Sequence, residues 1–284
     1  MTRIAYLGPR GTYSEAAALR VAADPQRVPS PTVAAAVAAV ERGEADVAVC
    51  AIENSIEGSV NETIDQLLRT DFPLKIASEI VIPIRHALVG APDIDITCAT
   101  VVYSHPQALA QCRRRLAELV PDARPVAALS TASAIEASVS EPGTLGIGNA
   151  FAAELYGARV YADDVGDEPG NETRFVALAH ADHEPTGDDK TSLAFTTQHD
   201  RPGSLVEVLL HFARRGINMT HIESRPTRRR LGTYVFLVDV HGHRADATLA
   251  DALREAARVT SWLRILGSYP RWPGTPEADP TARA

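Results

Sequence analysis

Apolar and polar positions along the chain follow two different regimes. Through roughly the first 180 residues, short strand-like apolar runs alternate with helix-like stretches, the pattern of an α/β protein with largely parallel sheets. A strand at 3–7 runs into the turn GPRGTYSE and an Ala-rich helix at 14–22, followed by an Ala/Val helix at 32–42. A strand at 47–52 leads through ENSIEGS to a helix at 60–68. An extended stretch at 74–89, broken near Pro83, is expected to carry the chain from one sheet to another. A second set then predicts a strand at 100–103, a helix at 106–119, a strand at 124–128, a helix at 131–139, a strand at 145–147 and a helix capped by Asn149. Two more strands, 159–165 and 173–179, flank the loop DEPGNE and are expected to close back on the first sheet.

The polar, acidic segment at 180–189 reads as a linker, and from Lys190 the pattern changes. Strand 191–197, helix 204–215, strand 219–224, strand 233–240, helix 247–257 and strand 262–268 give the order βαββαβ, which is the ferredoxin-like plan. The tail from Pro270 is Pro-rich and predicted to fray.

Composition narrows the function. Of 284 residues, 28 are Lys or Arg and 36 are Asp or Glu, a net charge of −8, which argues against nucleic acid as the partner. At 45% hydrophobic and 23% charged the chain is an ordinary globular one, long enough for two cores. No run approaches the roughly 20 apolar residues that span a bilayer, and MTRIAYLG lacks the apolar core of a signal peptide, so a cytoplasmic protein without a membrane role is expected. Cys50, Cys98 and Cys112 are odd in number, widely spaced and without a C-x-x-C pair, and read as reduced core or near-core thiols. Arg228, Arg229 and Arg230 form a basic run that reads as a solvated hairpin, because no aromatics are interleaved with it.

Four polar motifs share one placement, where a strand ends and a helix or loop begins: GPRGTYSE, ENSIEGS, SHPQALAQ and NETRF. That is the sheet edge at which ligands collect in α/β proteins, and the first three offer helix N-termini, which favour an anion. An anionic small molecule is the expected guest. Gly8 and Gly11 allow close backbone approach and Thr12 and Ser14 add hydroxyls, but the string fits neither nucleotide-binding glycine motif. Gln107 and Gln111 share a helix face, and Glu53 and Asn54 follow a buried strand directly. Each of these motifs also reads as a plain turn or helix cap. His105 is the tempting general base, yet a His before Pro at a helix start also reads as a structural hydrogen-bonder, and nothing near it has metal spacing. The other histidines, His241 and His243 among them, read as turn and tail residues, so no metal site is expected. Strand alternation sets Thr173 and Phe175 on one face and Arg174 on the other, so a bulge is needed if all three serve one site.

Taken in order, YLGPRGTYSEAA, AIENSIEGSV, YSHPQALAQC, NETRF, RPGSLVEVL and NMTHIESRP make the chain resemble the prephenate dehydratase family over nearly its whole length. The resemblance implies a two-lobed α/β catalytic region like the type II periplasmic binding proteins at 1–182, with lobe 1 at about 1–78 plus 160–182 and lobe 2 at about 79–159. It implies a ferredoxin-like ACT regulatory domain at 188–268, before a tail at 269–284. By motif match Thr173 carries the catalytic hydroxyl, with Glu53, Asn54, Ser104 and Gln111 beside it. Gly11, Thr12, Ser14, Ser55, His105, Gln107, Asn149, Arg174 and Phe175 are the implied substrate contacts. Gly203, Ser204, Leu205, Asn218, Glu223, Ser224, Arg225 and Pro226 match the effector motifs for phenylalanine, although Gly203-Ser204-Leu205 stands where many relatives have GAL.

The implied activity is the decarboxylating dehydration of prephenate to phenylpyruvate, water and carbon dioxide in phenylalanine synthesis, with feedback control by phenylalanine. It requires no cofactor, and the family's ACT domain implies a homodimer or homotetramer. No chorismate mutase segment is expected, because the first strand begins at Arg3. Two other readings stay open, an arogenate dehydratase and a non-catalytic amino-acid sensor on the same fold.

Overall fold

The structure, a computed structural model, describes residues 1–199, 201–227 and 233–273. The Arg228–Arg230 run with Leu231 and Gly232, and the tail beyond 273, lie outside the described residues. The fold is mixed α/β and forms two compact units, Met1–Ile64 with Ile80–Phe175, and Asp65–Glu79 with the chain from Val176 onward.

Along the chain, β1 (Arg3–Leu7) leads to α1 (Tyr13–Ala18), β2 (Gln26–Ser30), α2 (Val33–Glu41), β3 (Val47–Asn54), the short β4 (Gly58–Ser59) and α3 (Asn61–Leu67). After β5 (Lys75–Pro83) come β6 (Ala87–Gly90), β7 (Val101–Ser104), α4 (Pro106–Gln111), α5 (Arg113–Leu119), β8 (Arg124–Ala127), α6 (Thr131–Ser140), β9 (Thr144–Gly148), α7 (Ala150–Tyr156), β10 (Arg159–Ala162) and β11 (Glu172–Ala179). One sheet has the order β2-β1-β3-β11-β5, with β4 on β3, and the other β10-β6-β9-β7-β8.

Three differences from the sequence reading have physical causes. The strand β2, QRVPS, goes unpredicted because it is mostly polar; it lies at the sheet edge, where Pro29 withdraws no ladder donor. The helix expected at 106–119 is two helices, since Cys112 leaves helical geometry at φ −114 and ψ 9. The loop residue Asp167 supplies the second start, accepting from the N–H groups of Arg114 and Arg115 at 2.9 and 3.0 Å. Finally, β10 does not return to the first sheet: it pairs antiparallel with β6, Val160 opposite Val89, and only β11 goes back, between β3 and β5.

The second unit carries β12 (Asp189–Thr197), α8 (Ser204–Ala213), β13 (Met219–Pro226), β14 (Tyr234–His241), α9 (Ala247–Arg258) and β15 (Thr260–Pro270) in the sheet order β13-β14-β12-β15. This is the βαββαβ plan. Leu193 and Phe195 of β12, Val208 and Phe212 of α8, Val238 and Val240 of β14 and Leu249 and Leu253 of α9 are buried together in its core. The last strand reaches Pro270 and buries Tyr269, so the tail starts later than the composition implied. Cys50 and Cys112 are buried, while Cys98 is exposed on a 3-10 turn with its thiol toward Asp95, outside the core the sequence reading gave it.

Candidate active site

The turn GPRGTYSE is built by its own residues. Thr12 caps α1 by accepting from the Glu15 N–H at 3.3 Å, and the buried Glu15 carboxylate accepts from the Gly11 N–H at 2.6 Å and from Arg27 at 3.0 Å. Gly11 has φ +84, and a Cβ there would press on Ala152 at 3.0 Å, so the position needs glycine. Asn149 caps α7 and donates to the Gly11 carbonyl at 2.9 Å, which pins this turn to the helix after β9.

That turn forms one wall of a cavity of about 810 Å³. Thr12, Tyr13 and Ser14 line it with Asn54 from the end of β3, His105, Gln107 and Gln111 around α4, and Thr173 and Phe175 from β11. The turns bearing the four predicted motifs therefore do meet. Three helices, α1, α4 and α6, aim their N-termini here, the last through Ser130, Thr131 and Ser133. No Lys, Arg, Asp or Glu side chain lines the cavity among the described residues. An anion placed there meets N–H groups, hydroxyls and helix dipoles rather than a formal cation.

Six of the predicted residues stand behind the wall or beside it. Gly11 and Asn149 make the clasp just described, and Ser104 is buried with its hydroxyl donating to the Ile147 carbonyl at 2.8 Å. Ser55 accepts from the Glu172 N–H at 2.9 Å, fastening the loop after β3 to β11. Arg174 points away from Thr173 and Phe175, as plain alternation requires, and lies 3.3 Å from the Glu53 carboxylate.

Asn54 is the hub. Its Nδ2 faces three acceptors, Asn171 Oδ1 at 2.7 Å, Thr173 Oγ1 at 2.9 Å and the Glu172 carbonyl at 3.0 Å, while its Oδ1 accepts from the N–H groups of Ile56 and Glu57 at 3.1 and 3.0 Å. Asn171 in turn donates to Gln111 Oε1 at 3.0 Å, and Gln111 Nε2 donates to Glu57 Oε1 at 3.1 Å. The backbone of Gln111 is held as well, its carbonyl accepting from the Asp167 N–H at 2.7 Å. His105 serves as the N-cap of α4, its Nδ1 accepting from the Gln107 N–H at 3.4 Å.

The sequence reading missed several contributors. Ser130 and Ser133 form a capping box, whose start signal was present in LSTASA. Asn171 and Glu57 lie within NETRF and ENSIEGS, where nothing local marks them as partners of Asn54 and Gln111. His86, which by sequence reads with the turn and tail histidines, is buried at 4% exposure in the cavity wall, in the interruption between β5 and β6. A polar ring between two apolar runs, IVIPIR and ALVG, was the available signal. Burial holds its imidazole below the ordinary value and so neutral. Burial also keeps the Tyr13 hydroxyl protonated, and it donates to the Arg85 carbonyl at 2.6 Å.

The family model for prephenate dehydratase matches residues 4–183, and that for the ACT domain matches 191–258. The chain belongs to the prephenate dehydratase family. It is 43% identical over 284 residues to the prephenate dehydratase of Mycobacterium sp. (strain JLS), covering 95% of this chain and 89% of that protein. It is 40% identical to arogenate dehydratase 5, chloroplastic, of Arabidopsis thaliana, covering 98% of this chain and 70% of that one. The crystal structure of prephenate dehydratase in complex with L-Phe from Arthrobacter aurescens superposes with a TM-score of 0.87 at 38% identity, covering 95% of this chain and 90% of that one. Members of this family are enzymes, and here the catalytic-type region precedes an ACT domain. No helix among the described residues is long and apolar enough to cross a membrane.

The effector-motif residues sit in the second unit. Gly203 is the N-cap of α8 at φ +89, the Ser204 hydroxyl is buried without a hydrogen-bond partner, and Leu205 packs on the core rather than facing outward. Asn218 and Ser224 are exposed. Arg225 lies 3.9 Å from Glu223 on the same strand face and 3.2 Å from Asp65. Arg225 and Pro226 line a second cavity of about 800 Å³, which Gly203, Ser204, Leu205 and Asn218 do not reach. Ser224, Phe236 and Phe195 lie in one cross-strand row, so β14 separates β13 from β12 within one chain.

Proposed function

We propose that the chain converts prephenate to phenylpyruvate, water and carbon dioxide in phenylalanine synthesis, with catalysis in 1–182 and phenylalanine acting through 188–268. The ring carboxylate leaves as carbon dioxide, its C–C bonding pair enters the ring, and the C–O bond to the para hydroxyl breaks. One proton turns the departing hydroxide into water, so the dianion plus a proton gives the phenylpyruvate monoanion and the two neutral products. Aromatisation supplies most of the driving force. The protein has to hold the dianion, strip water from the carboxylate and donate to the hydroxyl.

The observation that carries this reading is the direction of the Asn54–Thr173 bond. Asn54 Nδ2 can only donate, so toward it Thr173 Oγ1 acts as an acceptor, sharing the amide's two hydrogens with Asn171 and the Glu172 carbonyl, and its own hydrogen is left for a guest in the cavity. Donation into Oγ1 also strengthens that hydrogen as a donor. An alcohol does not stay ionised at neutral pH, so Thr173 works as a hydrogen-bond donor in a relay, at the point where charge develops on the leaving oxygen. A wall with helix ends but no cation binds the dianion without pinning the departing carboxylate in an ion pair, which keeps its loss easy.

Among the described residues no acidic side chain lines the same wall, which favours a keto acid over arogenate, whose ammonium would be left with amide carbonyls alone. Exposed Val206 and Leu210 on α8 and Ile222 on the edge strand β13 support pairing of this unit between copies as a homodimer or homotetramer. Three free thiols suit the cytoplasm. The test is to mix the protein with prephenate or arogenate and follow phenylpyruvate or phenylalanine, each with and without added phenylalanine. Phenylpyruvate formed at the higher kcat/KM and suppressed by phenylalanine supports the reading; no turnover of prephenate contradicts it.

A further inference from the structure

We propose that His86 is a positioning residue of this reaction, whose Nε2–H holds the Gln111 amide in the cavity wall and thereby keeps the chain Gln111–Asn171–Asn54–Thr173 in place. The inference rests on the dehydratase reading above.

The polarity follows from groups that cannot reverse. The backbone N–H groups of Ile56 and Glu57 can only donate, so the Asn54 atom facing them is its oxygen, and its nitrogen faces Asn171 and Thr173. The Asn171 atom 2.7 Å from that nitrogen must then be oxygen, and its own nitrogen faces Gln111. Gln111 is fixed a second time from its other end, because the Glu57 carboxylate 3.1 Å away only accepts and claims the Gln111 nitrogen. Both anchors turn Gln111 Oε1 toward Asn171 and toward His86 Nε2, each at 3.0 Å.

His86 Nε2 must therefore carry a hydrogen, since the opposite tautomer would set two lone pairs against each other at 3.0 Å. The ring's other contact is the longer one: Nδ1 lies 3.4 Å from the Tyr13 hydroxyl oxygen, which donates to the Arg85 carbonyl, so a hydrogen on Nδ1 is the competing tautomer and the shorter contact to Gln111 favours Nε2–H. The burial that lowers the imidazole pKa fits a neutral ring with one N–H. The consequence for catalysis lies in Gln111, which stands at the last turn of a six-residue helix that stops at Cys112. Two donors on one oxygen hold that amide in the wall; with His86 removed, the oxygen keeps only Asn171 and the nitrogen only the exposed Glu57 carboxylate, so Gln111 is held less tightly, and Asn171 and Asn54 with it.

Two measurements test this. In long-range proton–nitrogen NMR on the intact wild-type protein, His86 is expected as the neutral Nε2–H tautomer at pH 7; an Nδ1–H tautomer or a doubly protonated ring overturns the proposed chain whatever the activity. In kinetics with prephenate, His86→Leu is expected to lower kcat by about tenfold or more while KM moves by less than about threefold, the signature of misplaced catalytic groups rather than lost binding. His86→Gln, which can return an N–H near the Nε2 position, is expected to recover most of kcat. Wild-type kcat in His86→Leu, or a His86→Gln as slow as His86→Leu at equal melting temperature, overturns the positioning role. Wild-type protein inactive on prephenate sinks the dehydratase reading instead, and the NMR result tells that case apart.

Discussion

Thr173 Oγ1 and Asn54 Nδ2 lie 2.9 Å apart although 119 positions separate them in the chain. Sheet order makes this possible, because β11 returns from the far end of the first unit to lie directly beside β3. The hydroxyl and the amide then project from adjacent strands at their cavity ends.

Reversing that bond should stop the chemistry. Asn54→Asp presents an acceptor where an amide donated, so the Thr173 hydrogen turns to the carboxylate instead of the guest. We expect kcat to fall by about 10²-fold or more, the range for losing a positioned donor. Asn54→Ala also strands the N–H groups of Ile56 and Glu57, at a cost of about 1–3 kcal/mol. Saturating kinetics and urea titration check the two effects separately.

In the second unit the Glu79 carboxylate is 1% exposed and takes Lys190 Nζ at 2.8 Å, with the Trp272 N–H at 2.9 Å. Lys190→Met leaves that carboxylate buried without its cation and should destabilise the unit by about 3–5 kcal/mol. Adding Glu79→Leu should restore much of the loss. Denaturant midpoints of the single and double variants measure both, and a single variant as stable as wild type refutes the prediction.

Gly203 adopts φ +89 ahead of α8, a backbone state that a β-branched residue resists at a cost of about 1–3 kcal/mol. Among the described residues nothing stands within 4 Å of the added Cβ, so the strain there is in the backbone. Gly203→Val should therefore distort the effector loop, and the ratio of rates without and with phenylalanine should move toward one. An unchanged ratio counts against an effector site at this turn.

Acid should weaken the first unit through His86. Its folded pKa is depressed by burial, so the unfolded chain takes up the proton first. The stability it contributes is complete above the unfolded value of about 6.5 and is lost as pH falls through the lower, folded value. Urea midpoints followed down through that window should decline less in His86→Gln than in wild type.

What the sequence disclosed is strongest where local chemistry and tertiary structure agree. The strand at Arg3–Leu7, the Asn149 cap and the βαββαβ order are each signalled by a few neighbouring residues, and each is present. Strand β2 and the break at Cys112 were hidden because their causes lie elsewhere: a sheet edge that tolerates Pro29, and Asp167 capping α5 from more than 50 residues away. The same holds in the site. Motif order brought the right turns to one cavity, but alternation and buried partners decide which side chains face it, so Thr173 and Phe175 do while Ser104 and Arg174 do not. His86 escaped notice because its partners, Gln111 and Tyr13, are 25 and 73 positions away.

The most direct test of the central claim is the kcat of Thr173→Ala with saturating prephenate, compared with wild type at matched melting temperature. A normally folded variant whose turnover drops by about 10²-fold or more is the predicted result. Turnover equal to wild type would contradict it and remove the Thr173 hydroxyl from the reaction.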